Sequence, residues 1–118
     1  MKLAIKTFGP LIAFAVLSAT AVADTKNDQI SYLINSVGKN GCVFIRNGER
    51  FSGKEAREHL RTKRKRNAHL IHSAEDFIKK IASRSSMSGE PYMISCRDEE
   101  PQTANEWFTR LLALHRSI

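Results

Sequence analysis

Apolar residues recur at two spacings along this chain, and each spacing predicts an element. Ile30, Leu33, Ile34 and Val37 fall at i, i+3, i+4 and i+7, the stripe of a helix that begins at Thr25 or Asn27 and runs to about Val37. The stretch from Gly38 to Gly41 stops it. Cys42 to Arg46 is short, β-branched and aromatic, which is the composition of a strand. Asn47 and Gly48 follow, both suited to the positive φ of a tight hairpin turn, so Glu49 to Phe51 is the brief return strand.

Ser52 and Glu55 then have the spacing of a capping box, which satisfies the free amides at a helix start, and a second helix is predicted from Gly53 to about Lys65. Residues 67–72 connect it to a third helix opened by Ser73, with Phe77, Ile78, Ile81 and Ala82 on one face. Small residues between Ser83 and Gly89 end that helix, and Pro91 to Cys96 reads as a third strand. Arg97 to Pro101 is a charged loop. Thr103 and Glu106 form another capping box, and the last helix carries Trp107, Phe108, Leu111, Leu112 and Leu114 inward.

The order is α-β-β-α-α-β-α, without a repeating β-α-β rhythm. It predicts an α+β fold with a small three-stranded antiparallel sheet packed by helices. Val43, Phe44 and Ile45 are apolar on both faces, so the first strand is expected at the centre, covered on both sides.

The first residues change the picture of where the chain works. Lys2 and Lys6 precede an uncharged apolar run from Phe8 to Leu17, and Ala21 and Ala23 sit in the small-x-small pattern of a signal-peptidase site. Residues 1–23 therefore read as a cleaved signal peptide, with Asp24 opening a single exported domain over residues 24–118. The apolar run is short for a span of ~20 residues, and no segment of the mature chain could cross a membrane. In an oxidising compartment the two cysteines, Cys42 and Cys96, are expected to close a disulfide. If the first and third strands are antiparallel neighbours, the start of one lies beside the end of the other and the two cysteines face each other.

Charge is concentrated in the second helix. Beyond Lys2 and Lys6 the chain has 17 basic and 12 acidic residues, and residues 54–66 hold seven of the basic and two of the acidic ones. On a helical wheel Lys54, Arg57, Arg61, Arg64 and Lys65 share one side, a candidate grip for phosphates or an anionic lipid surface, set against the plainer expectation of a solvated face. No aromatic residue interleaves these charges, and the compartment also argues against nucleic acid. The other face places His59 and Lys63 among apolar residues at i, i+4 spacing. They are either a polar pocket, completed by Ser86 and Tyr92, or they have the plainer roles that we favour. In those roles Lys63 runs its stem over the core toward solvent and His59 donates to a backbone carbonyl. Serine-based hydrolysis lacks a nucleophile elbow. His69 and His72 lack a nearby carboxylate pair, so no metal or other cofactor is expected.

The residues Phe44 to Gly48, His59, Leu60 and Lys63, Phe77 and Ile78, and Ser85 to Tyr92 together resemble the YfeK-like family of small exported Gram-negative proteins, a domain of unknown function. The resemblance covers nearly all of the mature chain and implies a periplasmic location. It supplies no established catalytic residues, and the two cysteines are not part of the matching pattern. The expected function is a non-catalytic binding or interaction module acting on a protein or cell-envelope partner. The alternatives are a small enzyme using His59 and Lys63 with a nearby serine, and an anion- or anionic-lipid-binding domain using residues 54–66.

Overall fold

The computed structural model describes residues 24–118; the expected signal peptide, residues 1–23, lies outside the described residues. Helix α1 is Lys26–Ser36, β1 is Val43–Arg46, β2 is Glu49–Phe51 and α2 is Gly53–Arg66. Helix α3 is Ala74–Asp76 and continues directly into a π-helical turn, Phe77–Ile81. Strands β3, Met93–Ser95, and β4, Gln102–Thr103, precede α4, Ala104–Arg116. Thr25, Ser52 and Thr103 each close a reciprocal capping box, with Asp28, Glu55 and Glu106 respectively. Asn47 and Gly48 take φ of 52° and 79°, the left-handed pair that a two-residue hairpin turn requires.

The fold is α+β, and every strand pair is antiparallel. The sheet has four strands in the order β2-β1-β3-β4, one more than the sequence predicts. The extra strand is two residues long, with Thr103 opposite Met93 and Gln102 opposite Ile94. Two residues are too few to display a period-2 pattern, and Thr103 is also the cap of α4. Strand β1 does lie between β2 and β3, as expected.

The helices cover one face of this sheet. Phe44, Tyr92 and Ile94 belong to the core, together with Ile30, Leu33 and Ile34 of α1, Leu60 of α2 and Phe108 of α4. Val43, Ile45 and Met93 point the other way and are only half-buried, so the expectation of a strand covered on both faces is not met. In α4, Phe108 and Leu112 are buried, Trp107 and Leu111 are partly so, and Leu114 faces solvent rather than the core.

The register that opposes Val43 to Ser95 brings Cys42 against Cys96 one step further along. Their Cα atoms are 3.9 Å apart and the disulfide is formed. The bond ties the start of β1 to the end of β3.

Candidate functional site

Period-2 alternation in β1 turns Cys42, Phe44 and Arg46 toward the helices. In the segment leading to β3 it turns Tyr92 the same way. Helix α2 crosses this face with Ala56 and Leu60 buried, and the same stripe brings His59 and Lys63 over Tyr92. The phenol is 1% exposed and its ring packs against Phe44, centroid to centroid 4.9 Å. The Tyr92 backbone is tied on both sides: its N–H donates to Ser83 O at 2.9 Å and its carbonyl accepts from Ala104 N at 2.8 Å.

Lys63 does not snorkel. It is 9% exposed, and its Nζ donates to Arg84 O at 2.8 Å and to Tyr92 Oη at 3.2 Å. The ammonium also sits 5.0 Å from the centre of the Tyr92 ring. His59 is bonded to Tyr92 Oη at 3.0 Å through Nε2, not to a backbone carbonyl. The plainer expectation for both residues is thus overturned, because the segment from Ser83 to Tyr92 folds back over α2 and supplies partners that sequence spacing does not reveal.

The polarity of this chain of bonds follows from donor counting. An ammonium can only donate, so Tyr92 Oη accepts from Lys63, and the buried phenol's own proton needs an acceptor, for which His59 Nε2 is the group in reach among the described residues. The hydrogen-bond pattern therefore assigns His59 the neutral tautomer protonated on Nδ1. Electrostatics agree. Burial first, then the Arg46 guanidinium and the Lys63 ammonium, hold His59 below its ordinary value of 6.5. Burial and then Arg46 lower Lys63 as well. Burial raises the Tyr92 phenol, partly opposed by Arg46. Arg46 is thus the positive charge felt by all three groups. Sequence reasoning passed over it, although its place two residues from Phe44 on the inward side of a strand was legible.

A cavity of about 100 Å³ opens beside this cluster, lined by Phe44, Arg46, Phe51, Glu55, Ala56 and His59. Arg46 Nε is a buried side-chain nitrogen that lacks a hydrogen-bond partner among the described residues. A larger, open groove of about 570 Å³ lies between the π-helical turn and α4. Its Arg116 is already paired with Glu75, and His59, Lys63 and Tyr92 do not line it. The convergent chemistry is therefore at the smaller cavity.

The structure brings His59, Lys63 and Tyr92 together but leaves Ser86 exposed, with no hydrogen bond to them among the described residues. Ser85 is the buried serine of that segment and accepts from Met87 N and Ser88 N, a turn-stabilising role. The basic side of α2 divides in two. Arg57 Nη1 donates to Val37 O at 2.6 Å, Arg61 Nη2 to Asn35 Oδ1 at 2.8 Å, and Arg64 to Ser31 Oγ and Asn27 Oδ1 at 3.3 and 3.1 Å. These three arginines form a polar ladder onto α1, while Lys54 and Lys65 remain exposed. Among the described residues no group of three or more His, Cys, Asp or Glu side chains could hold a metal ion.

The neutral His59 carries a prediction. The folded chain binds this proton more weakly than the unfolded chain, whose imidazole titrates near 6.5. Above that pH both states are neutral at this site and its contribution to stability is fully present. As pH falls through 6.5 the unfolded state takes up the proton first, so stability declines. Denaturant titrations at a series of pH values should show this slope in the wild type and a shallower one in His59→Gln. Equal slopes would mean that the imidazole is not held neutral by the fold.

Fold and site together define a small α+β protein in which His59 and Lys63 gather on one buried phenol, Tyr92, with Arg46 nearby. The chain belongs to a family of unknown function (DUF5329), which it matches over residues 24–116. It is similar to "Uncharacterized protein YfeK" of Salmonella typhimurium, with 40% identity over 65 residues that make up 54% of each chain. The chain thus spans about half the length of this curated relative. No solved structure matches.

Proposed function

We propose that the protein is an exported, non-catalytic binding domain that acts on a partner in the cell envelope. The supporting observation is the convergence of His59 and Lys63 on Tyr92 beside an open cavity that His59 and Arg46 line. Each polar tip is held in place: Lys63 on the Arg84 carbonyl and Tyr92, and His59 on Tyr92. Such a constellation is suited to holding a negative or hydrogen-bond-accepting group. Acyl transfer through a serine would need its hydroxyl within reach of a base; Ser86 stands apart from His59, and the hydroxyl that does reach His59, that of Tyr92, belongs to a side chain only 1% exposed. The alternative of gripping an anionic surface through residues 54–66 has less support, since Arg57, Arg61 and Arg64 are engaged on α1. Export is supported by the disulfide, which forms and persists in oxidising compartments. It is also supported by the cleavage pattern ending at Ala23.

The test begins with protein recovered from the periplasm, whose intact mass should start at Asp24. Immobilised wild-type protein is then exposed to an envelope extract beside the Lys63→Met and His59→Gln variants, each first checked for fold by circular dichroism. The wild type should retain a component in chemically unchanged form, and both variants should retain several-fold less. Equal retention by the variants would remove the site from the proposal. Chemical conversion of the retained component would replace the binding domain with an enzyme.

A further inference from the structure

We infer that the cavity walled by Phe44, Arg46, Phe51 and His59 binds the carboxylate of a small monoanion, with the Arg46 guanidinium as its donor and the aromatic walls around its short carbon chain. This rests on the reading of the protein as a binding domain and names the class of ligand.

Three independent features select that class. The first is the unpaired donor. A buried side-chain nitrogen without a partner is rare in a folded protein and calls for a reason, because an unmade bond at a buried donor costs the full desolvation of the group. Arg46 lines the cavity, and a guanidinium is a planar fork that matches the two oxygens of a carboxylate, so a bound anion would neutralise a side chain whose Nε makes no bond among the described residues. The second is size and lining. A cavity of about 100 Å³ is smaller than the apolar cavity of about 150 Å³ that accommodates benzene. Acetate or propionate fits such a space. Phe44, Phe51 and Ala56 give it apolar walls, which suit a carbon substituent and disfavour a fully hydrated inorganic anion. The third is the sign and amount of charge. Arg46 and Lys63 are positive, and His59 beside them is held neutral in part by their repulsion. One carboxylate, Glu55, sits at the cavity's edge, its Oε1 engaged by the Ser52 amide at 3.1 Å. Its negative charge disfavours a doubly charged anion such as phosphate or sulfate more than a singly charged one.

The probe is sodium propionate, titrated into purified protein and followed by amide chemical shifts. Propionamide, sodium phosphate and sodium chloride serve as controls at matched ionic strength. Propionate should give a saturable shift centred on Arg46, Phe51 and His59, and propionamide should not. Arg46→Gln should raise the dissociation constant about tenfold or more, since a charge-assisted hydrogen bond is lost. Arg46→Lys keeps the charge but loses the fork, and should weaken binding several-fold. Circular dichroism of both variants checks that they remain folded; neither removes a hydrogen bond that the fold uses at Nε.

Absence of a saturable propionate shift in the wild type would overturn the inference, as would equal affinity in Arg46→Gln. Saturable phosphate binding at the same residues without propionate binding would overturn the ligand class while leaving the cavity a binding site. The retention experiment reads envelope material and this one reads a single small acid, so the binding-domain reading and its ligand class fail separately.

Discussion

Replacing both cysteines, Cys42→Ser with Cys96→Ser, should lower the free energy of unfolding by ~4 kcal/mol. The bond closes a loop with a sequence separation of 54, and the chain-entropy relation assigns about that much stabilisation to a loop of this length. A domain of this size buries a modest share of its surface and has a typical stability of ~5–15 kcal/mol, so the bond is a large fraction of the whole. The melting temperature should fall by roughly 15–30 °C, given the small unfolding entropy of a short chain. The position of the bond strengthens the expectation. It joins the start of β1 to the end of β3, neighbours whose pairing is non-local and otherwise rests on three register pairs. The effect acts mainly by constraining the unfolded chain, so amide shifts of the folded double variant should change little beyond the two strand ends. Guanidinium titrations of the oxidised protein, the reduced protein and the double variant check this. A loss below ~1 kcal/mol would show that the unfolded chain gains little freedom when the loop is opened.

The elements that were legible in the sequence are those whose signals are local. Asn47 and Gly48 announce a hairpin because a left-handed pair is required there, and Ser52 with Glu55 announces a helix start because the reciprocal bonds span only three residues. The pairing of Cys42 with Cys96 follows from alternation along β1 and β3, which are antiparallel neighbours. What was not legible depends on how distant segments meet. Lys63 reads as a surface residue with a buried stem until the segment from Ser83 to Tyr92 crosses it and presents the Arg84 carbonyl. Arg57, Arg61 and Arg64 read as a cationic face until α1 packs alongside and offers Val37, Asn35 and Asn27 as acceptors. Ser85 and Ser86 are neighbours in a turn, and only the turn's path decides that Ser85 is buried and Ser86 exposed. The π-helical turn at Phe77–Ile81 has a different origin. Phe77, Ile78 and Ile81 already share one face of an ordinary helix, so their spacing does not distinguish an α-helical turn from the π-helical one that forms.

Gly53→Ala should destabilise the protein by ~2–3 kcal/mol, although helix propensity alone would have it stabilise α2 by up to ~1 kcal/mol. The reversal of sign comes from the packing of α1 against α2. A Cβ on Gly53 would lie 2.7 Å from the Cα of Gly38, 2.9 Å from Arg57 Nη1 and 3.2 Å from Val37 O. The same contact seen from the other side is tighter: a Cβ on Gly38 would lie 2.4 Å from the Cα of Gly53. Backbone stands on both sides of this contact, so relief requires the end of α1 to move away from the start of α2. That movement would also stretch the 2.6 Å bond from Arg57 to Val37 O, the first rung of the arginine ladder. Gly38→Ala should cost more, ~3–4 kcal/mol, because its φ of +91° adds left-handed strain to the same collision. Gly48→Ala separates the two causes. Its φ is +79° but nothing lies within 4 Å of the added carbon, so strain alone should appear there, at ~1–2 kcal/mol. The double variant of Gly38 and Gly53 is the sharpest measurement. Once one methyl has driven the helices apart, the second meets an opened gap, so the pair should cost about 1 kcal/mol or more less than the sum of the single changes. Denaturant titrations of the three single variants and this double variant decide the matter. A stabilising Gly53→Ala, or strict additivity of the pair, would show that α1 and α2 do not meet at these two glycines.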